Sequence, residues 1–473
     1  MRVHVLLAAS FLLSSCVARA DVLSPVGSPW PMFRGNLQRT GRSSQVGPTG
    51  VTAARWVFQG SDSIDCAPSI GGDGTVYVGD HSGNLYAIRD GKQLWSYNVG
   101  GVIGWSSPTV GPDSVVYVGD WWKGTLYAVA PGGMYRWSFA FSSQIDSPAT
   151  LGPDGLVYLA AFDGQLYALK PSQDAASLVW SFPVSDTGSE IISAPAFSLD
   201  GRTLYIGNRN WQLVALDVAT HTELWAADLD AEVDATPTVG ENGCIYVGTM
   251  GGSLYCLTPN GDIKWQFSAT AQEGWQAPIK ASPALGADGS VYFATQTGRL
   301  YRLAGDTGKL MWVWRSETGE AINSSPLVDA NGAAFFGSDD GYVYGIGPDG
   351  KLMWQFDACH STGNWVRSAP AMGADGTLYI ATTNGKTYAF GGVVAPARAY
   401  GDLNGDGRVT VADVTLLLGY LFAGRTLTAD QLKLADVAPP SRSGAPAGDG
   451  VVDIGDAVRI LRRAAGLDGD PWP

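Results

Sequence analysis

Histidine is nearly absent, with four in 473 residues. Chemistry built on several imidazoles is thereby excluded. Charge is sparse as well, at 16% of residues, and leans to one sign: 44 acidic against 30 basic side chains, a net −14. Residues 21–400 alone carry 34 acidic and 21 basic side chains, which argues against a nucleic-acid backbone or an anionic membrane surface as the main partner. No apolar run reaches the roughly 20 residues that a membrane-spanning helix needs. Cysteine is scarce too, five in all, and no two are adjacent. What is plentiful is glycine (62) and tryptophan (17), within a chain that is 45% hydrophobic. That combination describes many tight turns around a large core, not a flexible linker.

Residues 1–20 carry Arg2, an apolar run over 5–13, and Ala18-Arg19-Ala20 ahead of Asp21. Such a segment reads as a secretory signal peptide. Leu13-Ser14-Ser15-Cys16 also resembles a lipoprotein processing site. Ordinary cleavage after Ala20 is favoured, with lipid anchoring at Cys16 as the alternative. Either way the expected location is secreted, cell-surface or periplasmic. Outside the cytosol a disulfide is expected between Cys244 and Cys256, which lie symmetrically about Met250 in a hairpin.

The dominant signal is internal repetition. GTVYVGDHSGNLYAI from Gly74 returns as SVVYVGDWWKGTLYAV from Ser114, GLVYLAAFDGQLYAL from Gly155 and GCIYVGTMGGSLYCL from Gly243, with further copies centred on Tyr205, Tyr292, Phe335 and Tyr379. Ahead of each stands an apolar strand with a small residue and proline, as at Ala67-Pro68 and Ser325-Pro326. Asp-Gly or Asn-Gly dipeptides then supply the positive φ of a hairpin turn. These aspartates are explained by turn chemistry and are not read as calcium sites. Each copy ends on a strand with one tryptophan: Trp56, Trp95, Trp137, Trp180, Trp225, Trp265, Trp312 and Trp354, spaced 39 to 47 residues apart. A four-stranded unit at that period predicts a β-propeller of eight blades. Because the first tryptophan precedes the first full copy, residues around Arg55-Trp56-Val57-Phe58 are expected to supply the outer strand of the last blade.

LVALDVATHTELW from Leu213, LYRLAGDTGKLMW from Leu300 and WPMFRGNLQRTG from Trp30 together resemble the quinoprotein-like propellers, over roughly residues 30–392. That family holds quinone-dependent alcohol dehydrogenases and a non-enzymatic outer-membrane assembly propeller. The resemblance implies, for its enzymes, an adjacent cysteine pair against pyrroloquinoline quinone (PQQ), a calcium ion beneath it and a catalytic aspartate. This chain has no adjacent cysteines and no matching local motif for the aspartate, so PQQ and catalysis are not expected.

Surplus tryptophans suggest where a ligand would bind. In a propeller the loops between second and third strands open on the same face as the blade-to-blade connections. Trp121, Trp122 and Trp211 fall in the first kind, and Trp105, Trp275 and Trp365 in the second. Such rings suit a saccharide or an extended peptide. Asp80, His81, Cys359 and His360 fall on the same face as a weaker candidate for a transition-metal site, while His221 falls on the opposite face.

Beyond a linker at 393–400 the pattern changes to loop and helix. GDLNGDGRVTVADVTLLLGYLFAG places Asp402, Asn404, Asp406, Thr410 and Asp413 at calcium-loop positions 1, 3, 5, 9 and 12, with the Arg408 carbonyl at position 7. Aspartate in place of glutamate at position 12 resembles dockerin type I repeats. A second copy offers Asp436, Asp449, the Val451 carbonyl, Asp453 and Asp456, with an insertion and one ligand fewer. The resemblance implies a cohesin-like partner contacted by Val411, Ala412, Ile454 and Gly455. The expected architecture is a signal peptide (1–20), an all-β eight-bladed propeller (21–392), a linker, and a small α-helical, EF-hand-like dockerin domain (401–467) holding calcium.

Overall fold

The computed structural model describes residues 28–185, 188–391, Leu403, 411–423, Ala457, Ile460 and Leu461. Within the first compact unit, residues 1–391, the described chain forms eight four-stranded antiparallel sheets. The blades span residues 69–98, 109–140, 150–183, 196–228, 238–268, 284–315, 327–357 and 371–391. Trp56–Gln59 completes the eighth by pairing with the strand Lys386–Gly391, Trp56 opposite Ala389. The ring is therefore closed by the N-terminal strand, as the tryptophan spacing predicts.

The repeated residues account for the repeat geometry. An inner strand of two residues starts directly after each Pro or Ala; proline, which lacks an N–H, stands just outside the ladder. In the next turn the Asp73 Oδ1 accepts from the Thr75 N–H at 3.0 Å, and Asn242 and Asp375 do the same for Cys244 and Thr377. The second strands are almost wholly buried, for example Val76–Gly79 and Ile245–Gly248, while the outer strands alternate. In every blade the aromatic of the second strand meets the tryptophan of the outer strand, from Tyr158–Trp180 at 5.6 Å to Tyr246–Trp265 at 5.9 Å. In several blades the indole N–H also reaches the neighbouring blade: Trp225 donates to the Pro259 carbonyl at 2.9 Å, Trp265 to Gly305 at 2.9 Å and Trp312 to Pro348 at 3.0 Å, whereas the Trp180 N–H has no acceptor among the described residues. These donor tryptophans thus dock neighbouring blades as well as filling their own.

The axis is occupied by the segment bearing WPMFRGNLQRTG. Its carbonyls accept from the inner strands of six blades: Trp30 from Ile70, Pro31 from Val110, Leu37 from Phe197, Gln38 from Val239, Thr40 from Leu285 and Gly41 from Val328. Arg34 and Arg39, both buried, are spokes of this plug. Arg34 donates to the Pro283 and Pro326 carbonyls, and Arg39 to Pro195 (3.1 Å), Phe33 and Thr150. Burial pulls both guanidinium pKa values down to about 9, and Arg39 adds to the effect on Arg34. Both still carry their charge at neutral pH, without a carboxylate partner among the described residues.

The disulfide expected from the symmetry about Met250 is corrected. The ladder pairs Tyr246 with Cys256, so Cys244 lies two residues away from direct opposition. Cys66, Cys244, Cys256 and Cys359 are all free buried thiols. In the second unit, residues 392–473, the helix Val411–Ala423 packs Val414 and Leu417 against Leu403, Ala457 and Ile460.

Candidate ligand-binding face

Each blade-to-blade connection delivers one side chain to the axis, four residues ahead of its inner strand. In chain order these are Asp65, Trp105, Asp146, Ile192, Asp234, Lys280, Asn323 and Arg367, and all eight line a single throat whose wall includes Phe33 of the plug. Structurally equivalent positions thus carry different chemistry: three carboxylates, two cations, an amide, an indole and a branched aliphatic side chain. Only about 50 Å³ of this throat is open to a water-sized sphere.

The loops between second and third strands brace this rosette. They hydrogen-bond to the incoming connections, as in Trp121 N–H to Val102 O (2.8 Å) and Asp339 N–H to Ala321 O (2.8 Å), which confirms that both loop types share one face. His81 Nε2 lies 3.0 Å from Asp65 Oδ2; the hydrogen bond to Asp65 raises the imidazole pKa, and burial opposes it. Arg209 binds Asp234 with two contacts, at 2.9 and 3.1 Å. Arg367 binds Asp339 similarly, at 3.1 and 2.9 Å, and Asn323 donates to Asp339 at 2.9 Å. Asp146 is different: Oδ1 accepts the Trp105 N–H at 3.0 Å, and burial holds the carboxyl pKa up at about 6. Second and sixth around the ring, Trp105 and Lys280 stand across the axis, with the ammonium 4.6 Å from the indole centroid.

Of the six tryptophans singled out in the sequence, Trp105 enters the throat and the others stand apart from it. Trp121 and Trp122 stack on each other at 5.0 Å. Trp122, Trp211, Trp275 and Trp365 are exposed. The Arg299 guanidinium lies 5.4 Å from the Trp275 ring, and that of Arg367 lies 4.0 Å from Trp365. One face of each of these two rings is thereby backed by a cation.

The weaker metal-site candidate dissolves into separate contacts. Asp80 is taken by the Asn84 N–H (2.8 Å) and Tyr86 hydroxyl (2.8 Å), and His360 Nδ1 lies 2.6 Å from the Asp340 carbonyl. Cys359 is buried, its thiol pushed up to about 12. No cluster of three or more metal-ligating side chains occurs among the described residues. On the opposite face His221 stacks on Trp180 at 4.6 Å.

Sequence reasoning missed the rosette itself. Its signal was present as a fixed offset: Ile64-Asp65, Ile145-Asp146 and Val233-Asp234 each precede a small-residue and proline step. In the C-terminal unit, Asp413 is buried and its Oδ1 accepts the Leu403 N–H at 2.8 Å, tying the helix start back to the loop start. Val411 and Ala412 open that helix. The signal peptide, Cys16, Asp402, Asn404, Asp406, Arg408, Thr410, Asp436, Asp449, Val451, Asp453, Ile454, Gly455 and Asp456 lie outside the described residues.

Eight four-stranded blades around a plugged axis define an eight-bladed β-propeller built from PQQ-like repeats. The chain belongs to the family described as outer membrane protein assembly factor BamB, whose profile matches residues 86–221, 209–273 and 259–392, more than half of the sequence. Among solved structures it is similar to BamB from Moraxella catarrhalis, at 19% identity and a TM-score of 0.58, covering 72% of this chain and 99% of that one. It is also similar to the quinohemoprotein alcohol dehydrogenase from Comamonas testosteroni, at 14% identity and a TM-score of 0.63, covering 78% and 81%. Sqt1 from Saccharomyces cerevisiae follows at 13% identity and 0.62, covering 72% and 99%. At these identities the likeness is one of fold. No curated protein sequence matches the chain.

The throat does not fit a quinone of the PQQ type. Pockets that hold drug-sized organic ligands run to roughly 300 Å³ or more, whereas the open space here is about 50 Å³. Lys280 also reaches across to Trp105, and the described thiols are buried singly in other places.

Proposed function

We propose that the propeller is a non-catalytic binding scaffold working outside the cytosol. Its tryptophan-bearing face would hold a protein or saccharide partner. Residues 401–467 would form a calcium-dependent, dockerin-like module that engages a cohesin-like protein. The observation that carries the scaffold reading is the filled throat: side chains close the axis where a cofactor would need room, while Trp122, Trp211, Trp275 and Trp365 stand exposed on the same face. Aromatic rings offer large contact area at little entropic cost when they are held in place. The calcium reading is supported by the loop spacing and by the Asp413 contact to Leu403.

Capture from a native extracellular or envelope fraction tests both halves. Partner recovery through the C-terminal module is expected with calcium and lost with chelator; recovery through the propeller is expected to survive chelator and to fall with Trp122→Ala and Trp211→Ala combined. Equal recovery under all these conditions would remove the proposal. The family name favours an envelope-assembly role with Cys16 as a lipid anchor, and mass spectrometry of the mature N-terminus decides that point. Adding PQQ with calcium is expected to give neither an absorbance shift nor dye reduction; either signal would restore the oxidoreductase reading.

A further inference from the structure

We propose that the throat is a receptor for one cationic side chain, a lysine ammonium or arginine guanidinium presented by a partner protein, and that Lys280 occupies it in the free protein as a stand-in ligand. The inference rests on reading this face as a binding surface.

The argument starts from unequal satisfaction around the rosette. Asp234 is matched by Arg209, and Arg367 by Asp339. That leaves Asp65 and Asp146 on the acidic side and Lys280 on the basic side. Asp65 Oδ1 is buried with no hydrogen-bond partner, although its other oxygen faces His81. A buried carboxylate oxygen without a donor is costly. Asp146, 8% exposed, takes one backbone N–H on Oδ1 and is held by burial above the usual carboxylate range. Both groups would gain from a cation.

Lys280 supplies only part of that need. Its ammonium lies over the Trp105 face, an attractive cation–π arrangement, yet no carboxylate lies within 4.0 Å of it among the described residues. An incoming guanidinium has five donors and a planar face. It can stack on Trp105 and donate to carboxylate oxygens at once, once the flexible Lys280 stem swings away. The throat is narrow enough for a single side-chain tip and no more. A neutral donor could hydrogen-bond the aspartates but gains no charge attraction from them, and an anionic group is repelled. The propeller's 34 acidic against 21 basic residues (21–400) would steer a basic partner toward it.

The test uses the full chain and a capped peptide, acetyl-Gly-Arg-Gly-amide, with its citrulline counterpart as the neutral isostere, followed by calorimetry. Lys280→Met is expected to bind the arginine peptide at least tenfold more tightly than the wild type, because the competing internal cation is gone. Asp146→Asn placed on that background is expected to lose most of the gain, with an unchanged circular dichroism spectrum and a single cooperative melt confirming the fold. The citrulline peptide is expected not to bind. Equal affinity in wild type and Lys280→Met, equal binding of the citrulline peptide, or no binding to either form overturns the assignment. A partner captured equally well by wild type and Lys280→Met would also overturn it while leaving the face itself as a binding surface. The expected peptide pattern would support it even without a captured partner.

Discussion

Two kinds of buried charge set the chemistry of this propeller at the level of single residues. Arg34 and Arg39 bury guanidiniums against backbone carbonyls and the Thr150 hydroxyl, with no carboxylate among the described residues to balance them, and the Arg34 Nε is left without an acceptor. Arg39→Ala is expected to cost about 3 kcal/mol, since several acceptors lose their donor together; denaturant titration reads it. Asp146 acts in the other direction. Its carboxyl titrates near 6 when folded and near 4 when unfolded, so between those values the folded state holds a proton that the unfolded state has released. Stability therefore falls as pH rises from about 4 to about 6, by roughly 3 kcal/mol at most. His81, raised by Asp65, contributes stability that is full below about 6.5 and lost as pH climbs through its folded value. Thermal melts between pH 4 and 8 are expected to slope downward, and Asp146→Asn is expected to flatten the acidic part only. None of this was visible in composition. The tryptophans of the face stood out by rarity, whereas Asp65, Asp146 and Asp234 look like ordinary loop aspartates until their shared offset from the inner strand is noticed.

At the scale of elements, the sequence was most legible where the same contact recurs eight times. Tryptophan spacing, the Asp-Gly turns and the Tyr-containing second strand all reappear in the structure because each answers a local need: turn φ, alternation, or a ring pair within one blade. Gly133 shows how tightly the docking is built, for it has φ 82° and an added Cβ would sit 2.9 Å from the Trp95 ring. Gly133→Ala is expected to lower the melting temperature through both strain and displacement of that indole. The closing strand is the one element whose partner is remote, Trp56 facing Ala389. Deleting residues 50–60 is expected to lower the melting temperature of the whole propeller in one transition; an unchanged melt would show that the ring does not depend on this clasp. The Cys244–Cys256 pairing failed for an element-scale reason. Symmetry about a turn centre does not fix register, and here the ladder sets Tyr246 against Cys256.

At the scale of the whole molecule, the chain divides into the propeller unit and a second unit from residue 392 onward. If calcium holds the second unit together, binding supplies part of its folding free energy. A chelator is then expected to abolish hydrogen-exchange protection over residues 401–467 and leave the propeller's protection intact. The fold class was legible because repetition multiplies a weak signal. The rosette was not, because function here lies in how the eight copies differ. The axial plug carries one more consequence. The segment from Trp30 to Gly41 leaves the ribosome before any blade exists, yet its carbonyls find their partners as far along the chain as Val328. For most of synthesis it must wait unsatisfied, so completion of the ring is a late, long-range event, and a chain truncated before the seventh blade would expose this arginine-bearing segment to solvent and to proteases.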